Sequence, residues 1–390
     1  AAPSPPAGGQ PTPIGAASRV GGGPPSEAGR PVGGELPGER SSPVGGEAPG
    51  EGESRAGGEV PGGKTSRDGG ESALAGGASV SPGGPDLEGD GTLWLGGGTA
   101  GLVLRALPGG GPANTAVALA RLGTPARFLG RLSKDVFGEL LRDHLAGSGV
   151  DLSASIEAEE PSTLSVAALD PQGRATYTFY ADGTADWQWK PYELDLRRLG
   201  PVSCLHTGSI ALVKKPGREA VEEFARSAAE HVTISIDPNV RPSLASREDY
   251  PITRWCEWTD ILKLSDDDLD FLLPGTSTER ACDTWHAAGA RLVVITRGAA
   301  GALVSVDGER ATVAAPRVNV VDTVGAGDAF TAGLLHSLDT NGLLGGRLDG
   351  LDLRVAADAA EFAARVAALT CSVAGANPPW ANRTPQRPAM

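Results

Sequence analysis

Residues 318–338 read VNVVDTVGAGDAFTAGLLHSL, and the reading of the fold turns on them. The β-branched run predicts a strand ending at Asp322, Gly325-Ala326-Gly327 predicts a tight turn, and a helix follows whose first turn carries Asp328. Free N–H groups at such a helix start can hold the negative charge of a transferring phosphoryl group, and glycines leave the approach clear of side chains. A carboxylate beside them can take a proton from an attacking hydroxyl. Taken alone, the pattern also fits an ordinary turn with an acid in the first helical turn.

Working outward, strand-length apolar runs alternate with amphipathic helical patterns from about Gly101 onward. ARFLGRL (126–132), VSCLHTGS (202–209), VTISIDPN (232–239), DILKLS (260–265) and RLVVITRG (291–298) are expected as buried strands. DVFGELLRDHLAG and REAVEEFARSAAE are expected as helices between them. Such alternation predicts an α/β fold, three layers deep, with a mostly parallel central sheet covered on both faces. TLSVAALDPQGRATYTFY (163–180) breaks the rhythm and reads as a hairpin around Asp170-Pro-Gln-Gly173, a small β-sheet lid spanning about 163–182. A second glycine loop, LPGGGPANTAVALARLG (107–123), offers Gly109 and Gly110 as a hinge and Pro112 and Asn114 as a helix start. A capped helix after a flexible loop is its plainer reading.

Residues 1–92 contain no aromatic residue and are dominated by Gly and Pro, so they are expected to form a disordered tail ahead of one domain over 93–385. The tail carries twelve-residue repeats beginning at Arg19, Pro31, Pro43, Arg55 and Arg67. One copy contains GEVPGGKT (58–65), which matches the spacing of a phosphate-binding P-loop. It lacks the strand before it and the helix after it, and the neighbouring copies lack Lys64, so it is read as repeat sequence.

The chain has 34 Lys and Arg against 48 Asp and Glu, a formal net charge of -14, of which about eight negative charges fall outside the tail. Without a basic block, neither nucleic acid nor an anionic membrane surface is an expected partner, and a small molecule is. The four cysteines show no C-x-x-C spacing and the five histidines no H-x-x-x-H pair, which indicates neither a disulfide framework nor a zinc site and fits a cytoplasmic setting.

Together the two glycine motifs resemble the signatures of the ribokinase-like sugar kinases, the phosphofructokinase B type, over roughly residues 101–380. DPNVRPSL (237–244), KLSDDDLDFL (263–272) and ITRGAAGALV (295–304) are most similar to the fructokinase and 2-keto-3-deoxygluconate kinase branches. The resemblance implies ATP-dependent phosphorylation of the primary hydroxyl of a small sugar, with Mg2+ on the phosphates mostly through water, and allows a homodimer. It assigns Asp328 as general base, Gly325, Ala326 and Gly327 as the anion hole, and Arg241 as a charge-stabilising residue. Gly110, Asn114, Asp237 and Asn239 fall to the substrate side. Lys263, Ser265, Asp268, Thr296, Gly298, Gly375 and Asn377 fall to the nucleotide and its phosphates, and Asp322 to a K+ site. A nucleoside or sugar-acid kinase, or a weakened sugar or nucleotide sensor, shares the same pattern.

Two departures from that pattern stand out. Ser265 and Asp268 replace an Asn and a Glu. Upstream of Gly109, GDGTLWLGGGTAGLVLRALPGG offers no recognisable apolar strand ending in an acid, and Asp86 and Asp90 end no apolar run. Normal ATP binding with weak sugar affinity is expected from this, unless Asp90 supplies the acid.

Overall fold

The computed structural model describes residues 92–94, 103–169 and 175–383. The repeats, Lys64, Asp86, Asp90 and the Asp170–Gly173 turn lie outside the described residues. In chain order the first strands are β1 (Thr92–Trp94) and β2 (Val103–Arg105), paired antiparallel. Among the described residues upstream of Gly109 this short pair stands outside the main sheet, and neither strand ends in an acid, so the expected absence of an apolar strand ending in an acid holds for them. Helix α1 (Gly111–Leu122) follows, then β3 (Arg131–Ser133), α2 (Val136–Gly147) and β4 (Ile156–Ala158). The buried strand expected over 126–132 is only β3 plus one bridge from Arg127 to Asp151, and among the described residues β3 pairs with β4 alone.

Strands β5 (Leu164–Leu169) and β6 (Ala175–Tyr180) form the expected antiparallel hairpin. The core sheet then assembles from β7 (Cys204–Gly208), α3 (Arg218–Ala228), β8 (Thr233–Asp237), α4 (Ile252–Cys256), β9 (Ile261–Ser265), α5 (Asp266–Leu272), α6 (Thr278–Ala288) and β10 (Leu292–Thr296). Antiparallel β11 (Ala302–Val306) and β12 (Glu309–Val313) complete it, followed by α7 (Ala326–Thr340) and α8 (Leu353–Cys371). The order is β12-β11-β10-β9-β8-β7, parallel from β7 to β10.

Two-residue alternation sorts the strand side chains between the outer layers. Ile234, Ile236, Leu262, Leu264, Val293 and Ile295 pack with Val221, Trp255 and Trp285 of α3, α4 and α6. Ile261, Leu292, Val294 and Val304 pack with Phe330, Leu334 and Leu338 of α7 and the alanine face of α8. This is the expected three-layer α/β/α architecture.

The strand expected over 318–322 is absent. β12 is an edge strand ending at Val313, and the chain then runs exposed through Pro316 without meeting another edge to pair with. The Val321 and Asp322 N–H groups instead donate to the Cys371 carbonyl, at 2.8 and 3.2 Å, satisfying the last turn of α8.

What fixes α7 is its closeness to α8. A methyl group on Gly333 would stand 2.7 Å from Ala363 Cα, where no side chain can yield. Replacing Gly333 with Val should therefore push the helices apart, cost about 1 to 3 kcal/mol in a urea titration, and lower turnover with it. Unchanged stability would show that this contact does not set the position of α7.

Candidate active site

The parallel strands β7 to β10 end side by side at Gly208, Asp237, Ser265 and Thr296. Ligands of open α/β sheets gather at this carboxyl edge. The amino ends of α1 and α7 meet there. Gly110 (φ 111°) and Gly325 (φ 77°) occupy the positions before the two helices in backbone conformations that favour glycine. The Ala326 N–H turns back to the Thr323 carbonyl at 3.2 Å, while the Gly327 and Asp328 N–H groups have no acceptor among the described residues. These are the unpaired donors that an anion hole needs.

Asp328 is 8 % exposed and its Oδ2 accepts a 2.8 Å hydrogen bond from Asn114 Nδ2. Thr115 Oγ1 reaches the Asp328 carbonyl at 3.5 Å. Burial raises the proton affinity of Asp328, the Asn114 hydrogen bond lowers it, the charge of Asp237 raises it, and Lys263 and Arg241 lower it. The result lies at about 6. A carboxylate so poised is ionised at neutral pH yet basic enough to accept a proton.

Asp237 and Lys263 form a buried ion pair at 2.8 Å, and Asn239 (φ 41°) donates its N–H to Asp237 Oδ1 at 3.1 Å. Arg241 reaches the carbonyls of Asn239 and Val240 through Nη1, at 3.2 and 2.9 Å, and borders the same cleft as Gly110, Asn114 and Asp328. Val166, Tyr177 and Phe179 of the β5–β6 hairpin border it too, as a lid would.

The other residues expected here have hydrogen-bond partners of their own. Ser265 and Asp268 bond each other reciprocally at the start of α5, with Ser265 Oγ accepting from the Asp268 N–H and donating to Asp268 Oδ2. Asp268 Oδ1 also takes the Val240 N–H at 2.8 Å, which ties the Arg241 loop down. Thr296 and Gly298 stand at the end of β10, with Thr296 Oγ1 donating to the Leu264 carbonyl. Asn377 Oδ1 accepts from Arg121 at 2.5 Å, and Arg121 also stacks over Trp380. Both Asp322 oxygens bind backbone amides, Val324 N–H at 3.0 Å and Gly375 N–H at 2.8 Å, so this carboxylate clips the loop before α7 to the 375–377 loop.

Gly111 and Arg121 were not singled out by sequence reasoning. A methyl on Gly111 would meet Asn239 Nδ2 at 2.9 Å and Asp328 Oδ1 at 3.2 Å, so its hydrogen lets the two loops close. The third glycine of GGGP was the available signal. Arg121 gave none, since a lone arginine in a helix usually faces water.

The pfkB family of carbohydrate kinases matches residues 104–383, and the chain belongs to that family. It is therefore a sugar kinase. It is 42 % identical over 243 residues to a fructokinase from Rhizobium leguminosarum bv. trifolii, covering 60 % of this chain and 73 % of that one. The fructokinase from Xylella fastidiosa with bound ATP superposes with a TM-score of 0.64 at 28 % identity, over 73 % of this chain and 90 % of that one. A double mutant of Vibrio cholerae fructokinase bound to fructose, ADP and potassium gives 0.61 at 29 % identity, over 70 % and 87 %.

Gly325 provides the sharpest local test. A methyl there would meet Ala376 Cβ at 2.6 Å in a backbone conformation that alanine avoids. Gly325→Ala should reduce turnover by roughly tenfold or more while the melting temperature falls only a few degrees, since the strain is confined to one loop. Full turnover would contradict the need for this close approach.

Proposed function

We propose that this sugar kinase transfers the γ-phosphoryl group of ATP to the primary hydroxyl of a small sugar, with fructose as the first acceptor to test. The observation that carries the reading is the buried Asp328 carboxylate, raised to about 6, beside the unpaired N–H groups at the start of α7. Asp328 takes the proton of the acceptor hydroxyl as its oxygen forms a bond to the γ-phosphorus. The bond from that phosphorus to the bridging oxygen breaks and ADP leaves with the electron pair. The Gly327 and Asp328 N–H groups donate to the phosphoryl oxygens, and Arg241 adds positive charge nearby. Binding of fructose and of ATP or ADP by the similar fructokinases supports both substrates.

Thr296, Gly298 and the 375–377 loop would contact the nucleotide. Because Arg121 engages the Asn377 side chain, contacts from that loop would come chiefly from its backbone. For the divalent ion, the donor set fits Mg2+ carried by the phosphates with its own waters. Asp237 is paired with Lys263, Asp268 is bonded to Ser265 and Val240, and no group of three or more His, Cys, Asp or Glu among the described residues could cage a metal. When bound, Mg2+ neutralises phosphate charge. Asp322, with carbonyls of its loop, would hold K+ and stiffen the turn before the anion hole.

The test is ADP release over a panel of fructose, ribose, 2-keto-3-deoxygluconate and adenosine. With the favoured acceptor, Asp328→Asn should lower kcat by about 10² to 10⁴ while calorimetry shows ATP still bound. The base works only when ionised, so turnover of the unaltered enzyme should fall as pH drops through about 6. A variant keeping a tenth of its turnover would remove Asp328 from the base role.

Monovalent cations give an independent check. Activity should be higher in K+ than in tetramethylammonium at equal ionic strength, and equal rates would remove the K+ site at Asp322.

A further inference from the structure

A lysine in the middle of an apolar strand, DILKLS, calls for an explanation. Along β9, Ile261 faces α7 and α8 while Leu262 and Leu264 face the opposite layer, so Lys263 returns to the α7 side. On β8, Ile234 and Ile236 face away, which leaves Ser235 and Asp237 on the α7 side with it. Lys263 is 3 % and Asp237 5 % exposed, and their charged atoms lie 2.8 Å apart. Packing alone would be served by leucine, and a buried ammonium survives only with a partner. The location is the informative part. A Cβ built on Gly327 would stand 3.0 Å from Lys263 Nζ, which puts the ammonium directly behind the turn of the anion hole.

We propose that Lys263, clamped by Asp237, is a positioning residue that fixes a positive charge behind the Gly327 turn and keeps Asp328 in its carboxylate form. The proposal rests on the reading of Asp328 as general base. The groups that face Asp328 are Asn114 from α1, Asp237 and Arg241 from β8 and the loop after it, and Lys263 from β9. Asp237 and Lys263 act on it with opposite signs, the anion favouring the proton and the ammonium opposing it. Burial works against the Lys263 ammonium, but Asp237 holds it above the ordinary lysine range. His206 of β7 stands in the same layer, bonded to Ser235 at 3.0 Å. Burial lowers it to about 4, so it carries no charge at neutral pH.

Opposite signs make the idea testable without turnover. The proton on Asp328 is followed by carbon-13 NMR of its carboxyl in the full chain, free of sugar and nucleotide, with the signal assigned by its loss in Asp328→Asn. In Lys263→Met the titration midpoint should move up by about half a pH unit or more, roughly a threefold tighter hold on the proton. In Asp237→Asn it should move down by a comparable amount. A purely structural role would not reverse the direction between partners.

Calorimetry of ATP binding to Lys263→Met separates this role from the nucleotide contact that the family resemblance implies for Lys263. Midpoints that stay put, or move the same way in both variants, overturn the proposal. So does a tenfold loss of ATP affinity in Lys263→Met with an unmoved midpoint, which would make Lys263 a nucleotide contact. Should Lys263→Met not fold, Lys263→Gln takes its place, an upward shift supporting the proposal and an unmoved or lowered midpoint overturning it. Because Asp328 is read in the resting protein, failure of the base reading appears separately, as full turnover in Asp328→Asn.

Discussion

Seating the amino end of α7 over the carboxyl edge of the sheet is the constraint on which the rest depends. It places a carboxylate, Asp328, in a site from which water is nearly excluded, with Asn114 as its direct hydrogen-bond partner. A buried carboxylate is unfavourable unless charges and donors around it compensate. The Asp237–Lys263 pair lies beneath it and Arg241 lies nearby. Close backbone approach is what assembles these groups. Gly333 lets α7 lie on α8, Gly111 lets α1 close on Asn239, and Gly327 leaves room for the lysine.

The supporting elements extend this logic away from the chemistry. Asp268 joins the α5 start to the Arg241 loop through Val240, and Asp322 joins the loop before α7 to the loop at Gly375. Both acids meet backbone N–H groups, so each holds a loop in place by charge-assisted hydrogen bonds. Asn239, at φ 41°, occupies a conformation that a non-glycine residue keeps only when its surroundings impose it. The Asp237 hydrogen bond to its N–H and the Asp268 bond to the next residue supply that hold.

Much of this was legible in the residues. Near-continuous apolar runs gave β7 to β10, because a strand buried on both faces must be apolar on both. Alternation gave the β5–β6 hairpin, and the GAGD pattern gave Asp328 and its turn. The run VNVVD misled, since β-branched residues favour extended backbone while a strand also needs a sheet edge, which only the tertiary structure supplies. ARFLGRL shrank to β3, which among the described residues pairs with β4 alone. The Ser265–Asp268 pair carried a local sign, an S-x-x-D capping pattern, that points to helix capping. Lys263 was visible as a charge inside an apolar strand, but its partner on β8 depended on register. Residues that hold the site through distant neighbours, such as Arg121 with Asn377, left no mark in local spacing.

The account stands on one geometric relation, that the acceptor hydroxyl is delivered to Asp328 at the α7 start. A crystal structure with fructose and a non-hydrolysable ATP analogue tests it most directly. The account predicts the primary hydroxyl within about 2.6 to 3.2 Å of an Asp328 carboxyl oxygen, with the terminal phosphate facing the Gly327 and Asp328 N–H groups. A sugar seated with its primary hydroxyl turned away from Asp328, or a terminal phosphate held elsewhere than the α7 start, would contradict it.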